Sequence, residues 1–214
     1  MISVDRYGQA KASGDEHELA ADIEWLLEDH FQISRNVRGV NLLTNKTVVP
    51  DLVLRPRLSI TEAGFPDGLI CVEIKAIPAF KPSRRGREMA WQAFTYRMSR
   101  YSGELPIFSL VFPSVRQFFK AEGIDDYYRL YKDRCDELMT IMQYGNVGCI
   151  DLVQNSFDEI TGKPDIEFNF NNALFWTSFK GRECYTPNAG VKIRVGTKQQ
   201  GRKIAVVNGK IENV

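Results

Sequence analysis

The sequence predicts an α/β fold: a central mixed β-sheet flanked by helices. Three observations carry this. Short apolar runs rich in β-branched residues, over 48–54, 69–76, 106–112 and 147–153, have the length and bounding turn residues of buried strands. Before and between them, 15–30, 88–101 and 125–144 repeat apolar residues at helical spacing. After residue 147 the helical patterns stop and short alternating segments follow. Together these predict one domain, with a core of about 14–153 and a β-rich C-terminal extension of about 154–214.

Residues 1–13 read as a loosely held leader. In 15–30, Leu19, Ile23, Leu26, Leu27 and His30 fall on one face. Ser13 or Asp15 can cap this helix, and acids crowd its first turn, as the helix dipole favours. Residues 32–41 are expected to hold a strand, and 44–47 a polar turn. In 48–54, Pro50 removes a ladder donor and demotes the strand to an edge or a bulge. Pro56, Gly64 and Pro66 mark 55–67 as loop. After the strand over 69–76 come a basic turn over 78–86 and a helix over 88–101. The strand over 106–112, the amphipathic helix over 125–144 and the strand over 147–153 follow. Near the end, 166–170 alternates, and 191–195 with 203–207 read as a hairpin with one basic face.

Composition narrows the setting without naming a partner. Of 214 residues, 43% are hydrophobic and 26% charged, as in an ordinary soluble globular protein. The net charge of +1 argues neither for nor against an acidic partner, so the distribution of charge matters more. Cys71, Cys135, Cys149 and Cys184 have no zinc-finger or C-x-x-C spacing. Asp5, Arg6 and Lys11 interrupt the first residues, and no run approaches the roughly 20 apolar residues of a membrane span. The expectation is a cytoplasmic protein with free thiols and no membrane partner.

The unusual feature is charge inside apolar runs. Glu73 and Lys75 are two apart, so on a strand they share a face. Burying either charge unpaired is expensive. A metal ion beside the carboxylate would meet the need, and so would a simple ion pair. Asp51 interrupts the preceding apolar run and raises the same question. Glu16 lies three before Leu19 and seven before Ile23, on the apolar stripe of its helix. It sits either in a solvated first turn or against the same centre. Carboxylates that converge repel one another unless a divalent cation holds them. Mg²⁺ takes oxygen from one or two carboxylates plus substrate phosphates. A lysine beside them can orient a water or help deprotonate it. That is the equipment of metal-assisted phosphodiester hydrolysis.

Pro50-Asp51 followed by Glu73-Ile74-Lys75 resembles the PD-(D/E)XK nuclease superfamily. Ser13-Gly14-Asp15-Glu16 looks like the start of the first helix in phage-type junction-resolving endonucleases, and Glu16-His17-Glu18-Leu19 is similar to that of archaeal junction resolvases. Gln92-x-x-x-Tyr96 resembles a motif of RecB-like members. The resemblance covers about 14–112, half the chain. It implies a restriction-endonuclease-like core and a Mg²⁺- or Mn²⁺-dependent enzyme acting on DNA, single- or double-stranded. Asp51 and Glu73 would bind the metal with the Ile74 carbonyl, and Glu16 would bind through water or hold a second ion. Lys75 would position the attacking water and stabilise charge on the phosphate. Gln92 and Tyr96 would position the substrate strand, and His17 is a secondary candidate. The cysteines lack the clustering of iron–sulfur members, so no cluster is expected.

Lys81, Arg84, Arg85 and Arg87 follow the charged strand, with Arg97 and Arg100 further on. Near an active site they would neutralise phosphates; otherwise they are a solvated face. The basic C-terminal hairpin could extend that track. Tyr127, Tyr128 and Tyr131 could stack on bases, although their spacing suits core and rim. Several versions compete. The RecB-like motif favours an exonuclease or an enzyme for DNA ends and flaps. The first-helix match favours a branch-selective endonuclease acting as a symmetric homodimer, in a bacterial or phage-infected cell. A sequence-specific restriction-type enzyme, a non-catalytic nucleic-acid-binding module and a structural or assembly protein whose charged strand is merely an ion pair are the remaining alternatives.

Overall fold

The computed structural model describes residues 15–122, 132–157, 162–170, 173–178, 204–207 and 210–213. Helix α1 (Glu16–Leu27) leads to strands β1 (Phe31–Ser34), β2 (Gly39–Asn41), β3 (Thr47–Val48) and β4 (Leu52–Pro56). A short helix α2 (Leu58–Glu62) precedes β5 (Ile70–Ile74), α3 (Pro82–Arg97), β6 (Ser99–Tyr101), β7 (Phe108–Phe112) and α4 (Val115–Ala121). Helix α5 (Lys132–Tyr144) and strands β8 (Val147–Phe157), β9 (Pro164–Phe170), β10 (Ala173–Thr177), β11 (Ile204–Val207) and β12 (Lys210–Asn213) follow.

Seven strands form a mixed sheet in the order β1-β4-β5-β7-β8-β9-β10. Pairing is antiparallel from β1 to β5, parallel across β5, β7 and β8, and antiparallel again to β10. The parallel strands need crossovers, and α3 and then α4 with α5 lie in those connections. Every residue of β5 and β7 is buried, which is why their sequences read as unbroken apolar runs.

Period-two alternation divides the core between the two faces of the sheet. Ile70, Val72 and Ile74 of β5 join Leu19, Ile23 and Leu27 of α1 on one face. On the other, Val111 of β7 and Cys149 of β8 pack with Met89 and Ala93 of α3, Phe118 of α4 and Met139 of α5. The two ends of the sheet meet on the α1 side: Phe31 of β1 lies 5.6 Å from the rings of both Phe168 in β9 and Trp176 in β10. A sheet whose first and last strands touch must curl strongly.

The predicted mixed sheet with flanking helices is present, and several boundaries move for physical reasons. The strand expected over 48–54 divides at Pro50: β3 joins a small β3-β2-β6 sheet, while β4 enters the large one. The strand expected over 32–41 divides in the same way into β1 and β2. Residues 55–67 are not all loop, because β4 runs to Pro56 and α2 follows. Helix α3 starts at Pro82, six residues before the expected start, since proline suits the first helical position. Arg84 and Arg85 therefore sit in its first turn rather than in a loop. Helix α4 and strand β10 have no counterpart in the sequence reading.

Strands β9 and β10 belong to the main sheet, which therefore continues well past 153. Ile204–Val207 pairs with Lys210–Asn213. Residues 125–131 and 191–195 lie outside the described residues, as do Tyr127, Tyr128, Tyr131 and Cys184. Cys71, Cys135 and Cys149 are buried. Among the described residues no helix is long and apolar enough to cross a membrane.

Helix α3 approaches α4 closely at Gly86. A Cβ there would lie 2.8 Å from Phe118 Cβ. Gly86→Ala should therefore force the helices apart and cost about 1–3 kcal/mol, measured by urea denaturation.

Candidate acidic site at the end of strand β5

Four elements bring side chains to the carboxyl end of β5. Strands β4 and β5 are antiparallel, with Leu52 opposite Val72. One step further along that register sets Asp51 opposite Glu73. Asp51 precedes β4 because Pro50 has no N–H with which to extend the ladder. Its carboxylate takes an acceptor's place at the end of the ladder: the Ile74 N–H donates to Asp51 Oδ2 at 2.6 Å. Lys75 follows β5 and stays laddered to β7 through its N–H, which donates to the Phe112 carbonyl at 3.0 Å. Helix α1 delivers Glu16 to the same end. Its N-cap is Asp15, whose side chain accepts from the His17 N–H.

Glu73 is the centre of the arrangement, with 1% of its surface exposed. Lys75 Nζ lies 2.6 Å from Glu73 Oε1 and 3.6 Å from Glu16 Oε2. The Tyr96 hydroxyl donates to Glu73 Oε2 at 2.7 Å. Arg85 reaches across from α3 and donates to Glu16 Oε1 at 2.8 Å. Lys75 contacts Oε1 without hydrogen-bond alignment, so this buried oxygen has no directed donor.

The electrostatics follow from this crowding. Burial pushes the Glu73 carboxyl up to about 7, and the neighbouring Asp51 charge adds to the effect. Lys75 and Tyr96 oppose it without cancelling it. Burial pulls the Lys75 ammonium down, but Glu73, Asp51 and Glu16 together hold it above its ordinary value. Burial also raises the Tyr96 phenol, reinforced by Glu73, so Tyr96 stays a donor.

A cleft of about 450 Å³ opens beside these groups, lined by Glu16, His17, Arg35, Asn36, Pro50 and Asp51 among others. Arg35 is held there by Glu24 through two contacts of 2.6 and 2.7 Å. The oxygens on offer are hard carboxylate oxygens at the neighbouring ends of two adjacent strands, Asp51 just before β4 and Glu73 within β5. That combination fits a Mg²⁺- or Mn²⁺-sized ion. Among the described residues no three His, Cys, Asp or Glu side chains converge into a closed metal cage. Glu16 is turned instead to Arg85 and Lys75.

The structure thus brings together Glu16, Asp51, Glu73, Ile74 and Lys75 as the sequence proposes. Glu16, rather than the exposed Glu18, is the acid of α1 that faces the others. Tyr96 is buried on Glu73, while Gln92 is exposed one turn earlier on α3. Of the basic residues, Arg85 enters the site, Arg84 pairs with Glu88 at 3.0 Å, and Lys81 and Arg87 are exposed. Sequence reasoning missed Arg35 and the Arg85–Glu16 pair. The latter links residues 69 apart, and nothing local signals it. No protein-family model matches the chain, and neither does any curated protein or solved structure.

Because folding raises the Glu73 value from 4.5 to about 7, the folded chain binds more protons than the unfolded chain across that window. In the absence of divalent cations, stability should fall as pH rises through it, by at most about 3 kcal/mol. Glu73→Gln should flatten this slope in urea titrations run across the same pH range.

Proposed function

We propose that the chain is a metal-dependent nuclease of the PD-(D/E)XK type with a restriction-endonuclease-like core, hydrolysing DNA at ends, flaps or branches. One observation carries the reading. Two carboxylates on adjacent strands, Asp51 and Glu73, meet a lysine two residues beyond the second, at the end of a buried strand and beside an open cleft.

Asp51 and Glu73 are the residues that would hold Mg²⁺ or Mn²⁺, with the Ile74 carbonyl and with Glu16 through water. Such an ion supplies Lewis acidity and a water more acidic than bulk water. The chain's own groups do the rest. Lys75 keeps its proton and presents a positive charge where a phosphate would gain negative charge. Tyr96 orients the Glu73 carboxylate, and Arg85 orients Glu16. Lys81, Arg84 and Arg87 stand where flanking phosphates would pass, and Gln92 faces solvent above Tyr96. A C-terminal β-rich extension and a symmetric homodimer belong to this proposal as well.

A second reading, a structural or assembly protein whose charged strand is merely an ion pair, is favoured by the way the acids are closed off. Lys75 and Tyr96 cover Glu73, and Arg85 covers Glu16, which is how a purely structural ion network would look.

The deciding experiment incubates the protein with Mn²⁺ and linear, circular, single-stranded, flapped and four-way DNA, with RNA alongside. Cleavage of DNA is expected. Asp51→Ala and Lys75→Ala should each reduce it at least about 100-fold while leaving the circular dichroism spectrum intact. Calorimetry should show Mn²⁺ binding that Asp51→Ala removes. Absence of both cleavage and Mn²⁺ binding would falsify the enzyme reading; products from free ends alone would exclude the resolvase version.

A further inference from the structure

The loop between β5 and α3 holds a feature that the acidic site does not use. Phe80 is 77% exposed, five residues after Lys75. An aromatic ring so exposed gains nothing from burial. Lys81, which follows it, is in the left-handed region at φ 50°, an uncommon and costly conformation for a long side chain. Pro82 then fixes the start of α3.

The ring borders a cavity of about 340 Å³ lined by Pro78, Phe80, Lys81, Arg84, Arg85 and Glu88. Lys81 Nζ lies 5.1 Å from the ring centroid. Three cations face one acid there, and Glu88 already pairs with Arg84 at 3.0 Å and lies 3.9 Å from Arg85. Arg85 also touches Glu16, which faces Lys75, so a chain of contacts runs from this cavity to the acidic site.

We infer that this cavity is a nucleotide subsite: a single-stranded nucleic-acid segment stacks an unpaired base on Phe80 and places its phosphate among Lys81, Arg84 and Arg85. The inference rests on the phosphodiesterase reading and deepens it by naming the form of substrate that leads into the site. An aromatic face accepts any base, and the cations match a phosphate without reading sequence. A second copy of this chain fits poorly, because a two-fold contact here would set these cations against themselves. A duplex with all its bases stacked has no free base to offer the ring.

The test needs no catalysis. Anisotropy with a labelled single-stranded DNA of about 12 nucleotides, in EDTA, reads the affinity of the full chain. Phe80→Ala should weaken binding about tenfold, and Phe80→Trp should restore it with quenching of the new indole. An oligonucleotide of abasic sites should bind the wild type as weakly as the normal strand binds Phe80→Ala. Equal affinity of Phe80→Ala and wild type, or no binding by the wild type, overturns the subsite. Displacement of the strand by an equal concentration of deoxynucleoside monophosphate assigns the cavity to free nucleotides and overturns it too. Mn²⁺-dependent cleavage, measured separately, keeps the two ideas apart. Cleavage by the wild type without a role for Phe80 sinks this inference alone. Phe80-dependent binding with neither cleavage nor Mn²⁺ binding supports the subsite and sinks the enzyme reading.

Discussion

The contact between Glu73 and Lys75 is what the surrounding structure is built to tolerate. A carboxylate with 1% exposure in the third strand of a seven-stranded sheet is almost wholly shielded from water. Left unpaired it would cost several kcal/mol. Two side chains answer that demand: β5 itself supplies Lys75 and α3 brings Tyr96. The pair is not at a sheet edge, where solvent would make it cheap and uninformative. Asp51 raises the cost further, because a second acid opposite the first is the reverse of what ion pairing alone would favour.

Packing explains why this centre is held so firmly. Beneath the site, the α1 face of the sheet is a continuous apolar layer closed by the contacts of Phe31 with Phe168 and Trp176. At the far end of α1, Lys163 ties the helix down by donating to the Trp25 carbonyl and pairing with Glu28 and Asp29. Beside the site, the small sheet is locked to α3 by Asn41. Its amide nitrogen donates to the Thr95 carbonyl at 3.2 Å, and its oxygen accepts from the N–H groups of Leu43 and Thr44. The chain thus reaches Asp51 from a braced hairpin rather than from a slack loop.

Much of this was legible in the sequence, because the informative signals were local. Charges inside apolar runs announced Asp51, Glu73 and Lys75, and the helical period singled out Glu16 over Glu18. Strands β5 and β7 were readable because burial on both faces makes an apolar run. What stayed hidden depended on distance or on competition. Pro50 could be read as an interruption, but not as the point where the chain changes sheets. The short helix α4 and strand β10 have too few residues to establish a period. The Glu16–Arg85 contact and the partnership of Tyr96 with Glu73 exist only once α3 has crossed from β5 toward β7. A motif reading gave Tyr96 to the substrate, whereas its hydroxyl is taken by the protein.

The hydrogen bond from Ile74 to Asp51 has one more implication. Asp51 Oδ2 completes a ladder, whereas Glu73 has both oxygens engaged, Oε2 by the Tyr96 phenol and Oε1 by the Lys75 ammonium. A hard cation would, on the proposed reading, compete with Lys75 for Glu73 and would draw further oxygens from water and from the ligand. On the proposed reading, cation and phosphate complete each other's environment, and thermodynamic reciprocity makes each tighten the other's hold. The chain would, on that reading, bind its metal best with its substrate already in place.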